Sequence, residues 1–456
     1  MKNLLYLLVI MLVLTVTSCD KNLDVTPQQN ITPEQITTAA DVKALVSGEY
    51  SLFQNANGYG ERLKLIPDLL AAQDQLDFIG TFGTYKDIYN KQQAVSNSVA
   101  ADIWANGYRI INLTNTALNK IDLVTGADKE VTTGEAEFMR GVILFEMVNL
   151  YARTYTDGDA SQNPGVPIML AAPQYIYDST SALLPRSTVQ QVYIQVLTDL
   201  KDAADKLPQT AANARVTKYS AEAMLSRVYM MMGDYENAAM VADDVISSGY
   251  FNLVSTFNQE FNNVGNSAED IWGIQQTAQS NAGVSNSGLT TFYASYPIGR
   301  GDVQVNANFP AHFDDENDFR ASYYSEGYSI SGIDGNYTNK WAQLYKTVPV
   351  VRLAEMYLTR GEANLRKGGD PIGDDALNDI NIVRARAGAS AYATVSADDF
   401  VEERFRELTY EGDRVWTLKR LHMDIDGLAF NDNFLILPIP QRETDVNKNL
   451  VQNDGY

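Results

Sequence analysis

Between Val351 and Arg420 lie two charge-rich helical stretches whose acidic residues sit too close to their own kind to be stable alone. That limits what the chain can fold into. The first stretch, VVRLAEMYLTRGEANLRKGG, repeats Leu353, Tyr357, Gly361 and Leu365 every four residues. This is one apolar stripe, with a glycine at which a neighbouring helix can come close. Arg352, Glu355 and Glu362 lie on the same helix. In the later stretch Val401, Phe405 and Leu408 form a buried face, while Glu403, Glu407 and Glu411 run at i, i+4 along another, beside Arg404 and Arg414. Like charges at that spacing repel by about a few tenths of a kcal/mol, so their cationic partners must come from elsewhere in the fold. The reading is an ion-pair network that joins the two helices, and not a set of catalytic carboxylates.

From Tyr219 to Ile246 the order Leu225, Tyr229, Gly233, Tyr235, Ala238, Ala242 follows the tetratricopeptide pattern, in which small residues let two antiparallel helices nest. One hairpin of this kind cannot bury its own apolar face. Its partners are the amphipathic segments Trp104 to Leu123 with Glu135 to Tyr151, Val189 to Leu207, and Arg352 to Arg366 with Asp375 to Ala387. The predicted fold is mainly α, a tetratricopeptide-like right-handed superhelix of about four helical hairpins overlaid by irregular, loop-rich segments. Two regions break the helical rhythm: Asp74 to Val95, and Thr256 to Thr347, which is rich in Asn, Gly, Ser and Tyr. Irregular segments this long in a compact chain usually carry function.

The N-terminus reads as an export signal over residues 1–18. Lys2 precedes an uncharged run from Leu4 to Val16, shorter than the roughly 20 apolar residues a membrane-spanning helix needs. Small residues then lead to Cys19, the single cysteine, which has no partner for an internal disulfide and is placed for lipid attachment. With several acyl chains the anchor is stable, and residues 19–33 form a short tether. One domain is expected over 34–456: an N-terminal helical part (34–255) with the insert 74–95, a loop-rich ligand-binding part (256–347) and a C-terminal helical part (348–456). The formal charge is −22, and loss of Lys2 with the leader takes it to −23. Nucleic acid is not an expected partner, because phosphate contacts need clustered Lys and Arg.

No enzyme motif stands in a supporting context. His312 and His422 lack the spacing of zinc ligands, and the acidic run after His312 has Phe319 where a calcium loop needs glycine. His422 reads as structural, and Asp318 and Arg320 as a local pair. With 57 acidic residues a pair of carboxylates carries no information about glycoside hydrolysis. No catalytic residue, metal or cofactor is therefore expected. The 26 tyrosines are more telling, since many fall outside helical patterns. A tyrosine offers an apolar body for the C–H face of a sugar ring and a polar tip for its hydroxyls. The candidate ligand-binding residues are Tyr85, Tyr89, Phe292, Tyr293, Tyr296, Arg300, Tyr323, Tyr324 and Trp341, with Asn286, Asp302 and Asn306 near enough in sequence to add hydrogen bonds. Trp104, Tyr108, Trp272 and Trp416 stand in helical or short buried motifs and read as core.

Several blocks in one order carry a resemblance. They are CDKNLDVTP (Cys19 to Pro27), IWANGYRIINLTN (Ile103 to Asn115), AEFMRGVILFEMVNLYA (Ala136 to Ala152), the Tyr219 to Leu253 hairpin, the RLAEMYLTRGEANLRKG helix, INIVRARAG (Ile380 to Gly388), ERFRELTYEGDR (Glu403 to Arg414) and the ending LPIPQRETDVNKNLVQNDGY. Together they resemble the SusD/RagB family of outer-membrane nutrient-binding lipoproteins. The resemblance implies a cell-surface lipoprotein of a Gram-negative outer membrane. It would bind an oligosaccharide or other small nutrient with irregular segments laid over a helical scaffold, and pass it to a TonB-dependent, SusC-like transporter. A peptide receptor of the same architecture, a protein-binding scaffold and a glycoside hydrolase are the alternatives, in that order.

Overall fold

The computed structural model describes residues 33–171 and 183–456. Residues 1–18, Cys19 and the tether up to residue 32 lie outside the described residues. Helices α1 (Ala39–Gln54), α2 (Arg62–Leu70) and α3 (Gly83–Tyr89) come first, followed by α4 (Ser98–Asn119), α5 (Ala127–Tyr151), α6 (Val189–Lys206), α7 (Lys218–Met232) and α8 (Tyr235–Ser247). After the short α9 (Leu289–Tyr293) come α10 (Leu353–Lys367), α11 (Ala376–Arg386), α12 (Ala397–Leu408), α13 (Arg414–Arg420) and α14 (Gln441–Val446). Helix packs on helix in a continuous series: α1 on α4, α4 on α5, α5 on α6, α6 on α7, α7 on α8, α8 on α10, α10 on α11. The mainly helical, tetratricopeptide-like scaffold read from the sequence is therefore present. Its helix starts are set locally, since Thr38, Thr188, Thr217 and Ser396 each form a reciprocal capping box, a device that stabilises a helix by about 1 kcal/mol.

The α7/α8 turn shows why the spacing was legible. Gly233 adopts φ 73°, the left-handed conformation that ends a helix, and the Asp234 amide bonds back to the Tyr229 carbonyl at 2.9 Å. The Asp234 side chain then caps α8 by accepting from the Asn237 amide. Ala238 and Ala242 are fully buried in the seam.

The stripe expected on α10 is only partly buried. Leu353 and Gly361 face the interior, Tyr357 is half-buried and Leu365 is exposed. A strict four-residue spacing drifts about 40° per step around a helix of 3.6 residues per turn, so the stripe leaves the core by its third step. Gly361 does serve as the close-approach point: a Cβ there would lie 2.4 Å from the Phe400 ring and 3.1 Å from the Asp379 Cβ. Gly361→Val is expected to cost roughly 1–3 kcal/mol through overpacking of α10 against α12. A urea midpoint equal to that of the unaltered protein would show that α12 can step back freely.

Charge pairing makes the same region a core. Arg352, the last residue of strand β6 (Val348–Arg352), bonds Glu407 and Glu411 and also Glu269. Glu407 further accepts from Arg386 and, at 3.0 Å, from Arg320. Arg384 and Arg406 hold Glu403, and Lys340 holds Glu411 at 2.7 Å. All of these side chains are buried. The network joins the two helices as read from the sequence, through Arg404 of α12, which lies 3.6 Å from Glu355 and bonds Thr359 at 3.1 Å on α10. It also draws in α11 and two cations from the loop-rich segment, Arg320 and Lys340. Arg320 pairs with Asp318 as expected, then reaches beyond it to Glu407.

The remaining strands are β1 (Leu76–Phe78), β2 (Asp270–Ile274), β3 (Val303–Val305), β4 (Tyr324–Tyr328) and β5 (Asp334–Thr338). They form three antiparallel pairs, β1 with β3, β2 with β6, and the hairpin β4 with β5. The first irregular region thus contains a strand and helix α3. Three alternating residues are too few to announce a strand, and its partner lies more than two hundred residues away. That pairing, Leu76 opposite Val305 and Phe78 opposite Val303, knits the two irregular segments into one ribbon.

Candidate functional site

At one end of the β1/β3 ribbon the chain forms a ledge of exposed rings. Phe82 caps the start of α3, and the Arg300 guanidinium lies over its ring at 4.6 Å. Arg300 Nε donates to Asp302 at 2.9 Å, and its terminal nitrogen donates to the Thr81 hydroxyl at 3.3 Å. Burial pushes the Asp302 carboxyl up, while its bonded and charged partner Arg300 pulls it down. The Ile330 amide donates to the Arg300 carbonyl and the Tyr296 amide to the Tyr328 carbonyl, so the turn of the β4/β5 hairpin is laced to the segment before β3. In this way Tyr296 and Tyr328 meet, with ring centroids 5.9 Å apart, while remaining 42 % and 45 % exposed. Rings held this close yet open to water present apolar faces to a ligand, with the Arg300 guanidinium beside them and the buried Asp302 carboxylate holding that guanidinium in place.

Aromatic packing supports the ledge from behind. Phe292 is fully buried 5.9 Å from Phe82 and 4.9 Å from Tyr85. The Tyr85 hydroxyl donates to Glu61 and accepts from Arg62. Burial pushes Glu61 up to about 7 despite Arg62. Of the candidate ligand residues, then, Tyr296 and Arg300 stand on the ledge, and Tyr85 and Phe292 are its underpinning.

The others lie elsewhere. Tyr293 is fully buried, and its hydroxyl donates to Asp68 at 2.7 Å. Trp341 is buried with its Nε1 on the Tyr410 carbonyl. Tyr323 packs half-buried among Phe257, Phe261 and Phe319, and Tyr324 is half-buried against the core. Tyr293 and Trp341, closed in this way, have no free face for a ligand, because they are spent on anchoring their segments to the scaffold, whereas Tyr323 and Tyr324 keep part of their surface open. Tyr89 lines a separate open cleft of about 640 Å³, together with Asn306. Asn286 is exposed in the loop before α9. Phe82 was absent from the candidates, although a ring between Gly80 and Gly83 in the first irregular segment was a usable signal. Tyr328 is likewise not among the candidates; its place opposite Tyr296 depends on a hairpin that sequence spacing does not reveal.

The two histidines serve packing. His312 sits between Glu402, 3.1 Å from Nδ1, and Asp74, 3.7 Å from Nε2. His422 stacks on Phe430 with centroids 4.0 Å apart and approaches the Thr156 hydroxyl at 3.0 Å. Trp104 and Trp272 are buried, while Tyr108 and Trp416 are half-buried against the core.

A helical scaffold with irregular segments gathered over it matches known proteins along most of its length. A family model described as starch-binding associating with outer membrane matches residues 21–230, and one described as the SusD family matches residues 302–427. The chain belongs to the SusD/RagB family. SusD-like protein P2 of Formosa agariphila is 25% identical over 98% of this chain and 98% of its own length. The starch-binding protein SusD of Bacteroides thetaiotaomicron is 37% identical over a shorter stretch, 24% of this chain and 21% of that protein. A crystal structure of a SusD superfamily protein from Bacteroides thetaiotaomicron superposes with a TM-score of 0.82 at 25% identity, covering 91% of this chain and all of that one. Among the described residues of this SusD-like chain no helix is long and apolar enough to cross a membrane.

Proposed function

We propose that this SusD-like chain is a cell-surface lipoprotein of the outer membrane that captures an oligosaccharide on the Tyr296/Tyr328 ledge, without chemical turnover, and delivers it to a TonB-dependent transporter. The observation that carries the reading is the pair of exposed, mutually braced tyrosine rings beside Arg300 and Asp302. Sugar C–H faces stack on such rings and sugar hydroxyls bond to a guanidinium such as that of Arg300, which Asp302 holds in place. Attachment through Cys19 is supported by the leader-like run before it. Capture of carbohydrate is supported by the starch-binding description of the matching family model and by the name of the Bacteroides thetaiotaomicron relative.

The test is isothermal titration of the chain from residue 20 onward against plant, host and microbial oligosaccharides and a peptide digest. One glycan class is expected to give heat. Tyr296→Ala and Tyr328→Ala are each expected to weaken it about tenfold, and together about a hundredfold. Heat from the peptide digest alone would replace carbohydrate by peptide as the cargo.

A further inference from the structure

The loop-rich segment is fastened at its base. It enters through a single 3-10 turn, Phe257–Glu260, and leaves into β6. The Asn263 side-chain amide donates to the Gln259 and Glu260 carbonyls at 2.8 and 3.0 Å, and the Thr347 amide donates to the Asn263 carbonyl at 3.0 Å. Asn262 reaches the same exit, donating to the Asn339 carbonyl and accepting from the Gln343 amide. Entry and exit thus meet at one turn, and whatever holds this turn to the scaffold seats the whole segment.

Glu260 ties the turn to β2. Its Oε2 accepts from the Ser267 hydroxyl at 2.6 Å, while the Ser267 amide donates to Asp270 Oδ2 at 2.8 Å. Both acids are buried, and their side chains come within hydrogen-bonding reach of each other. Glu260 Oε1 and Asp270 Oδ1 receive no donor from any other described residue. Each acid therefore has one satisfied oxygen and one that only the other acid can satisfy.

Countercharge is already committed elsewhere. The cations packed on the turn are Lys340, 5.1 Å from the Phe257 ring centre and 4.9 Å from that of Phe261, Arg386 over Phe257 and Arg352 over Phe261. Arg352 is held by Glu269, Glu407 and Glu411, Arg386 by Glu269 and Glu407, and Lys340 by Glu411. Those cations and carboxylates balance, and Glu269 adds a negative charge next to Asp270 in the chain. Two buried carboxylates in contact without countercharge are costly to keep both ionised. Burial, then the charges of Asp270 and Glu269, pushes Glu260 well above the carboxylate range, and burial pushes Asp270 up as well.

We propose that Glu260 and Asp270 share one proton at neutral pH, Glu260 Oε1 donating it to Asp270 Oδ1, and that this bond clamps the base of the loop-rich segment to β2 until rising pH removes the proton. Both groups are raised in the folded state, so their stabilisation is complete below the unfolded values of roughly 4 and is lost as pH rises through the folded ones. The clamp weakens toward alkaline pH.

The test is urea unfolding of the chain from residue 20 onward, stepped from about pH 5.5 to about pH 8.5, with Glu260→Gln beside the unaltered protein. Glutamine keeps the side-chain shape and donates to Asp270 with no proton to lose. The unfolding constant of the unaltered protein is expected to rise relative to that of the variant by up to about tenfold per pH unit. Asp270→Asn, which donates in the opposite sense, is expected to show the same flattened pH dependence, so either variant serves if the other fails to fold. Hydrogen exchange needs no variant: protection of the amides of residues 257–263, corrected for base catalysis, is expected to fall over the same range. A constant ratio of unfolding constants across the range, or unchanged protection, overturns the shared proton. Stabilisation of the unaltered protein by calcium chloride that Glu260→Gln lacks would put a cation between the two acids and overturn it equally.

Discussion

Glu407→Ala is expected to destabilise the protein by about 3–5 kcal/mol, the range for breaking a buried ion pair from one side. Three guanidiniums, Arg320, Arg352 and Arg386, converge on this one carboxylate, and each of them is buried. Removing the anion leaves their charge uncompensated in a region water cannot reach. Burial by itself would raise the Glu407 carboxyl, but Arg386, Arg352 and Arg320 outweigh it and hold the group far below the usual carboxylate range. Glu411 behaves alike, lowered to about 2 with Arg352 and Lys340 overcoming its burial. For groups depressed in the folded state the stabilisation is full above the unfolded value of roughly 4.3 and is lost as pH falls through the folded value. Stability should therefore decline between about pH 4.5 and about pH 2, and the Glu407→Ala protein should lose less over that interval. Urea unfolding stepped through it measures both effects. An acid limb equally steep in the variant would contradict the assignment of acid sensitivity to this carboxylate.

Trp272→Ala is expected to cost a similar amount, about 3–5 kcal/mol, for an unrelated reason. Trp272 lies on β2 with Phe53, Tyr59 and Phe138 meeting it edge-on at centroid distances of 5.8, 5.4 and 4.9 Å. It couples β2, and through it β6, to the N-terminal helices, so its deletion empties the centre of four packed rings. Its Nε1 has no hydrogen-bond partner among the described residues. Trp272→Phe removes that unpaired donor as well as some volume, and the two changes offset. The phenylalanine variant is expected to fall within about 1.5 kcal/mol of the unaltered protein. Equal losses for alanine and phenylalanine in denaturant titrations would mean that the indole nitrogen is bonded in solution.

The helical scaffold was readable because its determinants are local. Capping residues such as Thr217 and Ser396, Gly233 at a helix end, and Ala238 and Ala242 in a seam act over a few positions, and their spacing survives in one dimension. The ledge was half readable. Tyr296 and Arg300 were within reach because they share one aromatic-rich segment, but the same signal also selected Tyr293 and Trp341, which the fold buries. Composition marks a segment rich in rings; it does not say which rings face water. Phe82 and Tyr328 join the site only through the β1/β3 pairing and the β4/β5 turn, contacts between residues far apart in sequence.

The sequence by itself determined the fold class, the family, the need for buried countercharges around Glu403, Glu407 and Glu411, and the two irregular segments that carry the proposed ledge, since periodicity, capping and like-charge spacing are properties of neighbouring residues. Only the tertiary structure decided which cations answer those carboxylates, which aromatic rings stay open, and that Tyr296 meets Tyr328. Those outcomes depend on strand register and on burial, which are set by contacts across the whole chain.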